Sequence, residues 1–251
     1  MIAFVSDIHS NTEALSVVFE AIDQLGVDRV LCLGDVIGYG PEPRATLRMV
    51  IDRCELSLRG NHEEGCMNYA SDFNEKALRA IEWTRQELNR KDQPRQENFE
   101  FWNYLDAMKI DYRENEVLLA HGSPRDPIRE YIIPRDAQDA AKMKGCFDLF
   151  GDQKLCFVGH SHVPGVYVEG GNYVPPSECP DGYVLGDGRA IVNVGSVGQP
   201  RDGDTRSCFA TWDGERVRFH RVEYDFESTM QKIRAIPELP DYLADRLAAG
   251  R

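Results

Sequence analysis

The first part of this chain alternates between short apolar runs and helix-like stretches. Each apolar run is followed by polar residues that can bind metals or transfer protons. The runs cover residues 2–6, 29–33 and 55–58, and polar residues follow each of them. Stretches with apolar residues at helical spacing come next. This repeated order of strand, polar tip and helix predicts a mostly parallel sheet with helices packed outside it. In such sheets, sites form at the carboxyl ends of the strands, so the pattern also predicts where function lies.

The predicted strand ends carry most of the few histidines in the chain. Five of the six histidines follow apolar runs, and two aspartates and one asparagine do the same. These eight residues are Asp7, His9, Asp35, Asn61, His62, His121, His160 and His162. Unrelated capping groups would rarely be distributed in this way, because the strand-end loops of one sheet share a face. The sixth histidine, His220, alternates within an ordinary strand pattern, and we interpret it as structural.

His160 and His162 follow the apolar run 155–158 with a single residue between them. Alternate residues of an extended chain point the same way, so both imidazoles could face one metal ion. Taken alone, the pair fits two surface or capping histidines equally well. The other strand ends are needed to choose between these alternatives.

The combined set favours metal chemistry. Imidazole and carboxylate ligands without thiolate suit manganese, iron, cobalt or catalytic zinc better than a structural zinc ion. Seven candidate ligands exceed the four of a tetrahedral site, and they suffice for two ions if one carboxylate bridges. Paired metals about 3.5–4 Å apart can clamp the attacking and leaving oxygens of phosphoryl transfer.

Composition limits the partners and the compartment. Hydrophobic residues make up 42% and charged residues 28%, which is typical of a soluble globular protein. A net charge of −13 disfavours broad binding to nucleic acid or to an anionic membrane. The seven cysteines include no Cys-x-x-Cys spacing, so we expect reduced thiols in a cytoplasmic protein. We expect neither a transmembrane segment nor a signal peptide.

The remaining pattern predicts one domain over residues 1–251. Residues 63–108 are interpreted as a helical insertion near the site, and 225–251 as a helical C-terminal appendage. Another helix is expected over about 136–144. In the β-rich part, Asp187-Gly188 and Asp213-Gly214 are turn signals between strand-like runs.

The motifs resemble those of a known family. Asp7-x-His9, Gly34-Asp35, Gly60-Asn61-His62-Glu63, His121-Gly122 and Gly159-His160-x-His162 match, in order, the five blocks of calcineurin-like metallophosphoesterases. The resemblance covers residues 1 to about 202 and is strongest to small prokaryotic phosphatases and phosphodiesterases. It implies a four-layer α/β/β/α sandwich, in which two mixed sheets are flanked by helices.

The resemblance also implies roles for the strand-end residues. It assigns one metal to Asp7, His9 and His162, the other to Asn61, His121 and His160, and the bridge to Asp35. The two divalent ions would be Mn, Fe, Zn, Co or Ni, with Mn favoured, and a metal-bridging hydroxide would attack phosphorus. His62 would act as general acid or transition-state stabiliser.

Four other residues are weaker candidates for contact with substrate. Asn11 could touch the phosphate or cap the first helix, for which Ser10 is the other candidate cap. Arg201 could hold a substrate phosphate or form an ordinary surface ion pair. Arg125 and Arg129, which follow the His121 block, are similar but weaker candidates.

The expected function is therefore that of a metal-dependent phosphoesterase acting on a small phosphorylated substrate or a phosphoprotein. Phosphomonoester hydrolysis is slightly favoured, and phosphodiesters and dinucleoside polyphosphates are the alternatives. A non-catalytic metal-bound scaffold is an alternative of another class, although such a protein would be expected to lose ligands or His62. The sequence leaves the oligomeric state open.

Overall fold

Two six-stranded sheets stack at the centre of the molecule in a computed structural model that describes residues 1–68, 70 and 73–251. The strands are β1 (Ile2–Val5), β2 (Arg29–Cys32), β3 (Leu56–Ser57), β4 (Asp111–Glu114), β5 (Val117–Ala120), β6 (Leu155–Val158), β7 (Gly165–Val168), β8 (Tyr173–Val174), β9 (Tyr183–Val184), β10 (Ala190–Asn193), β11 (Ser207–Trp212) and β12 (Arg216–Val222). The helices are α1 (Thr12–Gln24), α2 (Pro43–Arg53), α3 (Asn61–Met67), α4 (Glu75–Leu88), α5 (Arg95–Ala107), α6 (Ala140–Phe147), α7 (Phe226–Arg234) and α8 (Asp241–Ala249).

Both sheets are mixed. The first has the order β3-β2-β1-β11-β12-β9, in which β1, β2 and β3 run parallel and the later strands pair antiparallel. The second has the order β4-β5-β6-β10-β7-β8, with β5, β6 and β10 parallel. Among these parallel strands, β1, β2, β3, β5 and β6 have the candidate residues after their carboxyl ends.

Alternation along the strands builds the core between the sheets. Phe4 of β1 points to the second sheet and stacks on Phe157 of β6, with ring centroids 3.9 Å apart. Its neighbours Ala3 and Val5 point the opposite way, into the helix-covered core. Period-two alternation of this kind makes both faces of the first sheet apolar, so each face requires a covering layer.

Helices cover the outer faces. The apolar residues Leu15, Val18 and Phe19 of α1 pack on the first sheet, and Met143 and Phe147 of α6 pack on the second. The α/β/β/α sandwich of two mixed sheets is confirmed. In the described part of the chain, α4 is the longest helix at 14 residues, and none is long and apolar enough to cross a membrane.

One local prediction differs from the structure. The predicted helix over 136–144 is divided into a 3-10 turn, Pro134–Gln138, and α6. Asp139 ends the first segment and caps α6 by accepting a hydrogen bond from the amide of Lys142, so it acts as a boundary. Asp213-Gly214 joins two paired strands, β11 and β12, as predicted. Asp187-Gly188 also lies between two strands, as predicted, but these strands, β9 and β10, belong to different sheets.

The helical interpretation of 63–108 falls on helices α3, α4 and α5, although residues 69, 71 and 72 lie outside the described part. Helices α7 and α8 occupy the predicted C-terminal appendage. The division of the chain, as one domain with an insertion at 63–108 and an appendage at 225–251, stays a prediction.

Candidate metal centre

The candidate centre lies where the carboxyl ends of strands from both sheets meet. The amide of Asp7, after β1, donates to the carbonyl of Gly34, after β2, over 3.0 Å. The amide of His160, after β6 of the other sheet, donates to Asp7 Oδ2 over 2.9 Å. These bonds tie loops of the two sheets together, so the site spans the junction between them.

All eight predicted strand-end residues converge at this junction. Seven of them are at most 3% exposed, namely Asp7, His9, Asp35, His62, His121, His160 and His162. Asn61 is half-buried at the start of α3. Potential ligand atoms lie within 4.8 Å of one another in three overlapping sets: Asp7 with His9 and His162, His9 with Asp35 and His62, and Asp35 with His121 and His160. Because Asp35 and His9 each belong to two sets, the side chains are described below as two ligand groups with Asp35 between them. The structure therefore brings the whole predicted set together.

The first group is formed by Asp7, His9 and His162. Nε2 of His162 is 3.1 Å from Asp7 Oδ1 and 3.2 Å from Nε2 of His9. Nε2 of His9 is 3.9 Å from Asp7 Oδ1. Three potential ligand atoms from two different sheets thus surround one point.

The second group is formed by Asn61, His121 and His160. Nε2 of His121 is 3.2 Å from Oδ1 of Asn61 and 3.1 Å from Nδ1 of His160. Asp35 Oδ2 lies between the two groups, 3.4 Å from Nε2 of His121 and 3.8 Å from Nε2 of His9. Its position is suited to a carboxylate shared by two ions.

Main-chain carbonyls orient the four imidazoles. Nδ1 of His9, His121 and His162 faces the carbonyls of Ile37 (3.3 Å), Leu33 (2.9 Å) and Gln199 (2.6 Å), and Nε2 of His160 faces that of Arg129 (3.0 Å). A carbonyl can only accept, so in each ring this nitrogen carries a proton. In a neutral ring, the other nitrogen then presents a lone pair to the centre. This is the usual arrangement around metal-binding histidines.

The donor set fits divalent ions. In the first group, the inward nitrogens of His9 and His162 face each other 3.2 Å apart, where two neutral rings cannot hydrogen-bond without an added proton. The buried Oδ1 of Asp7 has no hydrogen-bond partner of good geometry, although such atoms in folded proteins normally have one. Two ligand atoms bound to one ion are separated by a similar distance, about 3 Å.

The electrostatics hold most of the set in the form that binds metal. Burial raises the pKa of Asp7, but the interactions with His162 and His121 together outweigh it, and the pKa stays below its ordinary value. Burial likewise raises the pKa of Asp35, but the interactions with His121, His62 and His9 together outweigh it and lower the pKa. Burial lowers the pKa of His9 and His162, and that of His160 to about 3. These aspartates are therefore ionised and these histidines neutral at neutral pH, as metal binding requires.

His121 differs from the other imidazoles because it lies beside Asp35. Burial lowers its pKa, but the charge and hydrogen bond of Asp35 prevail and raise the pKa to about 9. A metal ion bound at its Nε2 would have to displace a proton there. Metal uptake at this group should therefore release a proton.

His62 lies at the inner wall of the centre. Its amide donates to Asp35 Oδ1 over 2.9 Å, while its ring contacts those of His9 and Tyr39, at centroid distances of 4.7 and 4.3 Å. Nδ1 is buried and has no hydrogen-bond partner among the described residues. Burial lowers the pKa of His62 to about 4. The ring is therefore neutral at neutral pH. The neighbouring rings hold it in place, and its Nδ1 remains available for a hydrogen bond to substrate.

The backbone is unusual at the same positions. Eight described residues other than glycine have positive φ, and five are candidate ligands: Asp7, His9, Asp35, His160 and His162. Two glycines allow the loops to approach so closely. A Cβ at Gly60 would collide with Asp35 Oδ1, and one at Gly159 would lie 2.5 Å from Asp7 Oδ2.

Glu63 supports the centre without reaching it, a role that the motif reading did not predict. Its fully buried carboxylate accepts hydrogen bonds from the amides of Asp35 and Gly60 at one oxygen, and of Val36 and Ile37 at the other. Burial and the charge of Asp35 raise the pKa of Glu63 to about 7, against these donors. The sequence signal that could have revealed this role is the position of Glu63 directly after His62 in the block Gly60-Asn61-His62-Glu63.

Aromatic side chains form the rim. Tyr131, 47% exposed, stacks on His160 with ring centroids 3.7 Å apart, and Tyr39 covers His9 and His62. The cleft that opens here measures about 230 Å³ and is lined by Tyr39, Asn61, Phe73, Asn74, Ala77, Arg129, Tyr131 and His160. A larger groove of about 940 Å³ lies elsewhere, beside residues 202–206, and contains none of the candidate ligands. Glycines on both sides of Tyr39 were the only sequence signal for the rim.

The weaker candidates occupy different places. Asn11 caps α1: Oδ1 accepts from the amide of Ala14 (3.1 Å) and Nδ2 donates to the carbonyl of Gly198 (2.9 Å). Arg201 lies at the rim, with Nη2 donating to Gln199 Oε1 over 2.8 Å. Arg125 forms an ion pair with Glu130 over 3.2 Å, and Arg129 lines the cleft.

Comparisons with known proteins agree with this geometry. The profile described as a calcineurin-like phosphoesterase superfamily domain matches residues 1–216. The uncharacterized protein MJ0912 of Methanocaldococcus jannaschii is 37% identical, over 100% of this chain and 98% of the relative. A metallophosphoesterase from Sphaerobacter thermophilus is 38% identical with a TM-score of 0.81, over 100% and 99% of the two chains. The hypothetical protein PH1004 from Pyrococcus horikoshii shares the fold, with a TM-score of 0.78 at 19% identity over 100% and 99%.

Proposed function

Because the chain belongs to the calcineurin-like phosphoesterase superfamily and is a metal-dependent phosphoester hydrolase, we propose that it is a phosphomonoesterase with two divalent ions. The observation that carries this proposal is Asp35 Oδ2, which lies between two groups of inward-facing ligand atoms. Asp7, His9 and His162 would hold one ion, Asn61, His121 and His160 would hold the other, and Asp35 would be shared.

When bound, the two ions lower the pKa of a water molecule and polarise the phosphoryl oxygens. The chain itself supplies position and a dry environment. The carbonyls of Leu33, Ile37, Arg129 and Gln199 hold the imidazoles in the correct tautomer, and the rim tyrosines restrict the access of bulk water to one side.

His62 is the proposed catalytic side chain. A neutral ring with a pKa of about 4 can donate one N–H to a phosphoryl oxygen at neutral pH. The other role, that of general acid, requires the negative charge of a bound phosphate to raise this pKa first. The structure therefore favours stabilisation of the phosphoryl oxygens over proton donation.

The small size of the cleft at the centre supports a phosphomonoester as the substrate. The cleft is small, about 230 Å³, and a terminal phosphoryl group presents three oxygens with only one substituent to be accommodated. Arg201 at the rim is the proposed contact for substrate. Asn11 stays a prediction in this role, since its hydrogen bonds describe a helix cap.

We further propose manganese as the native metal, because the donor set mixes imidazole, carboxylate and amide oxygen without thiolate. The proposed location is the cytoplasm, and the seven free cysteines are the observation in its favour. Metal analysis of protein purified from its own cells, together with cell fractionation, would test both proposals.

The direct test uses purified protein loaded with Mn²⁺ and assayed with 4-nitrophenyl phosphate and bis(4-nitrophenyl) phosphate. We expect faster hydrolysis of the monoester. His62→Ala should retain bound metal and lose about 10²–10⁴ in kcat. Asp35→Asn should lower the metal content itself, because it removes the shared carboxylate.

His220→Ala is the matched control, since His220 lies on β12 outside the centre and pairs with Thr211. It should leave both metal content and turnover unchanged. A faster diester reaction would replace the monoester proposal by phosphodiester hydrolysis. Absence of hydrolysis in metal-replete protein would support the non-catalytic scaffold instead.

A further inference from the structure

Two arginines, Arg201 and Arg246, stand together at the rim of the centre. The Arg201 guanidinium carbon lies 6.0 Å from the ring centroid of Tyr39, and Tyr39 in turn covers His9 at 4.7 Å. Nε of Arg201 is buried without a hydrogen-bond partner among the described residues. Arg201 is therefore held beside the proposed metals with hydrogen-bonding capacity left unused.

Arg246 comes from the last turn of α8, which docks against the loop that carries Arg201. The amide of Gly203 donates to the carbonyl of Gly250 over 3.0 Å, and a Cβ at Gly250 would lie 2.9 Å from the carbonyl carbon of Gly203. Leu243 and Leu247 of α8 belong to the apolar cluster against which Tyr39 packs. The C-terminal helix is thus part of the rim.

Neither guanidinium pairs with an aspartate or glutamate side chain in the part of the chain that the structure describes. Nε of Arg246 donates to the main-chain oxygen of Arg251 over 2.6 Å, and its two terminal nitrogens make no hydrogen bond with described residues. This is unusual here, because acidic residues outnumber basic ones by 42 to 29 and at least twelve described arginines form ion pairs.

The two positive charges also affect each other. Burial, and then the charge of Arg201, lower the pKa of Arg246 from its ordinary value. Burial raises the pKa of Tyr39 and Tyr131, and the charge of Arg201 opposes it in both. Two half-buried like charges that are near enough to affect each other are costly unless an anion joins them.

We propose that Arg201 and Arg246 form a subsite for a second phosphoryl group of the substrate, next to the phosphoryl group that is hydrolysed. Planar guanidinium groups bind phosphate oxygens through paired, charge-assisted hydrogen bonds. The substrate class is then an organic phosphate that carries two phosphoryl groups. This inference rests on the proposed function, because it places the first phosphoryl group at the metal centre.

The test compares two ligands that differ by one phosphoryl group, fructose 1,6-bisphosphate and fructose 6-phosphate. Their affinities are measured by titration calorimetry on Mn²⁺-loaded His62→Ala protein, in which turnover is slow. The bisphosphate should bind at least about tenfold more tightly, as expected for added charge-assisted bonds. Addition of Arg246→Gln should reduce this ratio about fivefold or more and leave the monophosphate affinity nearly unchanged.

Arg234→Gln is the matched control in the same appendage, since Arg234 pairs with Asp245 of α8 over 2.6 Å at the surface. It should leave the ratio unchanged. Arg246→Lys keeps the positive charge but lacks the planar guanidinium group, so it should restore part of the preference for the bisphosphate. It also replaces Arg246→Gln in the test if that variant does not fold. An equal loss of both affinities in Arg246→Gln would mean that both arginines hold the same phosphoryl group, and would overturn the inference.

An unchanged ratio in Arg246→Gln would overturn it as well. These outcomes do not depend on catalysis. If the wild-type protein hydrolyses no phosphoester, the proposed function fails, while the binding ratio still decides whether a bisphosphate subsite exists. If the wild type hydrolyses 4-nitrophenyl phosphate and the ratio is about one, only the subsite is rejected.

Discussion

In each of the four imidazoles proposed to bind metal, one ring nitrogen hydrogen-bonds to a main-chain carbonyl, and this bond fixes the direction in which the other nitrogen points. Nδ1 of His121 is bound to Leu33, for instance, so Nε2 has to face Asn61 and His160. The carbonyls belong to loops that are themselves held by other strands. At the residue scale, the accuracy of the centre therefore depends on groups that never touch a metal.

Glu63 gives the sharpest prediction of this kind. In Glu63→Gln, the amide nitrogen of glutamine would face main-chain N–H groups that now donate to a carboxylate. We expect a loss of about 2–3 kcal/mol in the free energy of unfolding and a weaker affinity for Mn²⁺. Urea denaturation and metal titration would measure the two effects.

Glu64→Gln is its control, because Glu64 lies next in the sequence but its carboxylate contacts Arg59 and Asn68 instead of the Asp35 loop. Its effect should stay within about 1 kcal/mol. If Glu63→Gln bound metal as tightly as the wild type, the carboxylate of Glu63 would not be what positions the Asp35 loop.

The lowered pKa of His62 leads to a prediction of how the stability of the metal-free protein changes with pH. Burial lowers its pKa from 6.5 to about 4, so between these values the unfolded chain binds a proton there that the folded protein does not. Stability is therefore lost as the pH falls below 6.5. Between pH 7.5 and 5.5, the wild type should lose about 1.4 kcal/mol more of its unfolding free energy than His62→Gln.

Urea unfolding of chelator-treated protein at the two pH values would measure this difference. His220→Gln controls for the loss of a histidine elsewhere. Equal losses in wild type and His62→Gln would show that His62 is already protonated in the folded protein near pH 6.

At the scale of the elements, the close contact between the β1 and β6 loops makes the centre possible. Gly159 follows β6 and lies against Ser6 and Asp7 after β1. Gly159→Ala would force these loops apart, so we expect a loss of roughly 2–4 kcal/mol in stability. The first group, to which Asp7 and His162 belong, should lose metal affinity with it, as measured by the stoichiometry of tightly bound Mn²⁺.

Gly186→Ala is the matched control, because a Cβ at Gly186 would meet no atom within 4 Å. It should leave both quantities unchanged. Full retention of two tightly bound ions in Gly159→Ala would show that the loops can separate without disturbing the proposed ligands.

The elements also show which features a sequence can reveal. Strand ends were predictable because each consists of a local apolar run followed by its polar residues, as at Asp7 and His121. Local signals do not say which strands become partners. Asp187-Gly188 therefore resembles a hairpin turn, although its flanking strands enter different sheets. Arg246 was not predictable at all, because only the docking of α8 on the Arg201 loop brings it to the rim.

For the whole molecule, the centre is a connection between two sheets. Each proposed ion draws ligands from loops of both, so unfolding has to release it. With free Mn²⁺ at a hundred times its dissociation constant, one ion should add about 2.7 kcal/mol to the free energy of unfolding. This corresponds to a rise of roughly 5–10 °C in Tm for a chain of this size.

Calorimetric melting with Mn²⁺ and with excess EDTA would measure the shift. Asp35→Asn should show a much smaller one, because it lacks the shared carboxylate. A Tm that is equal with and without metal in the wild type would argue that the folded and unfolded chains bind Mn²⁺ equally well.

The left-handed backbone at Asp7, His9, Asp35, His160 and His162 has a consequence for how such a chain can change over generations. Each of these conformations is unfavourable by about 1 kcal/mol for a residue with a side chain, whereas glycine adopts it freely. The fold alone would prefer glycine where the chemistry requires aspartate or histidine. A descendant released from catalysis should therefore accumulate glycine at these five positions first and become more heat-resistant as it does so.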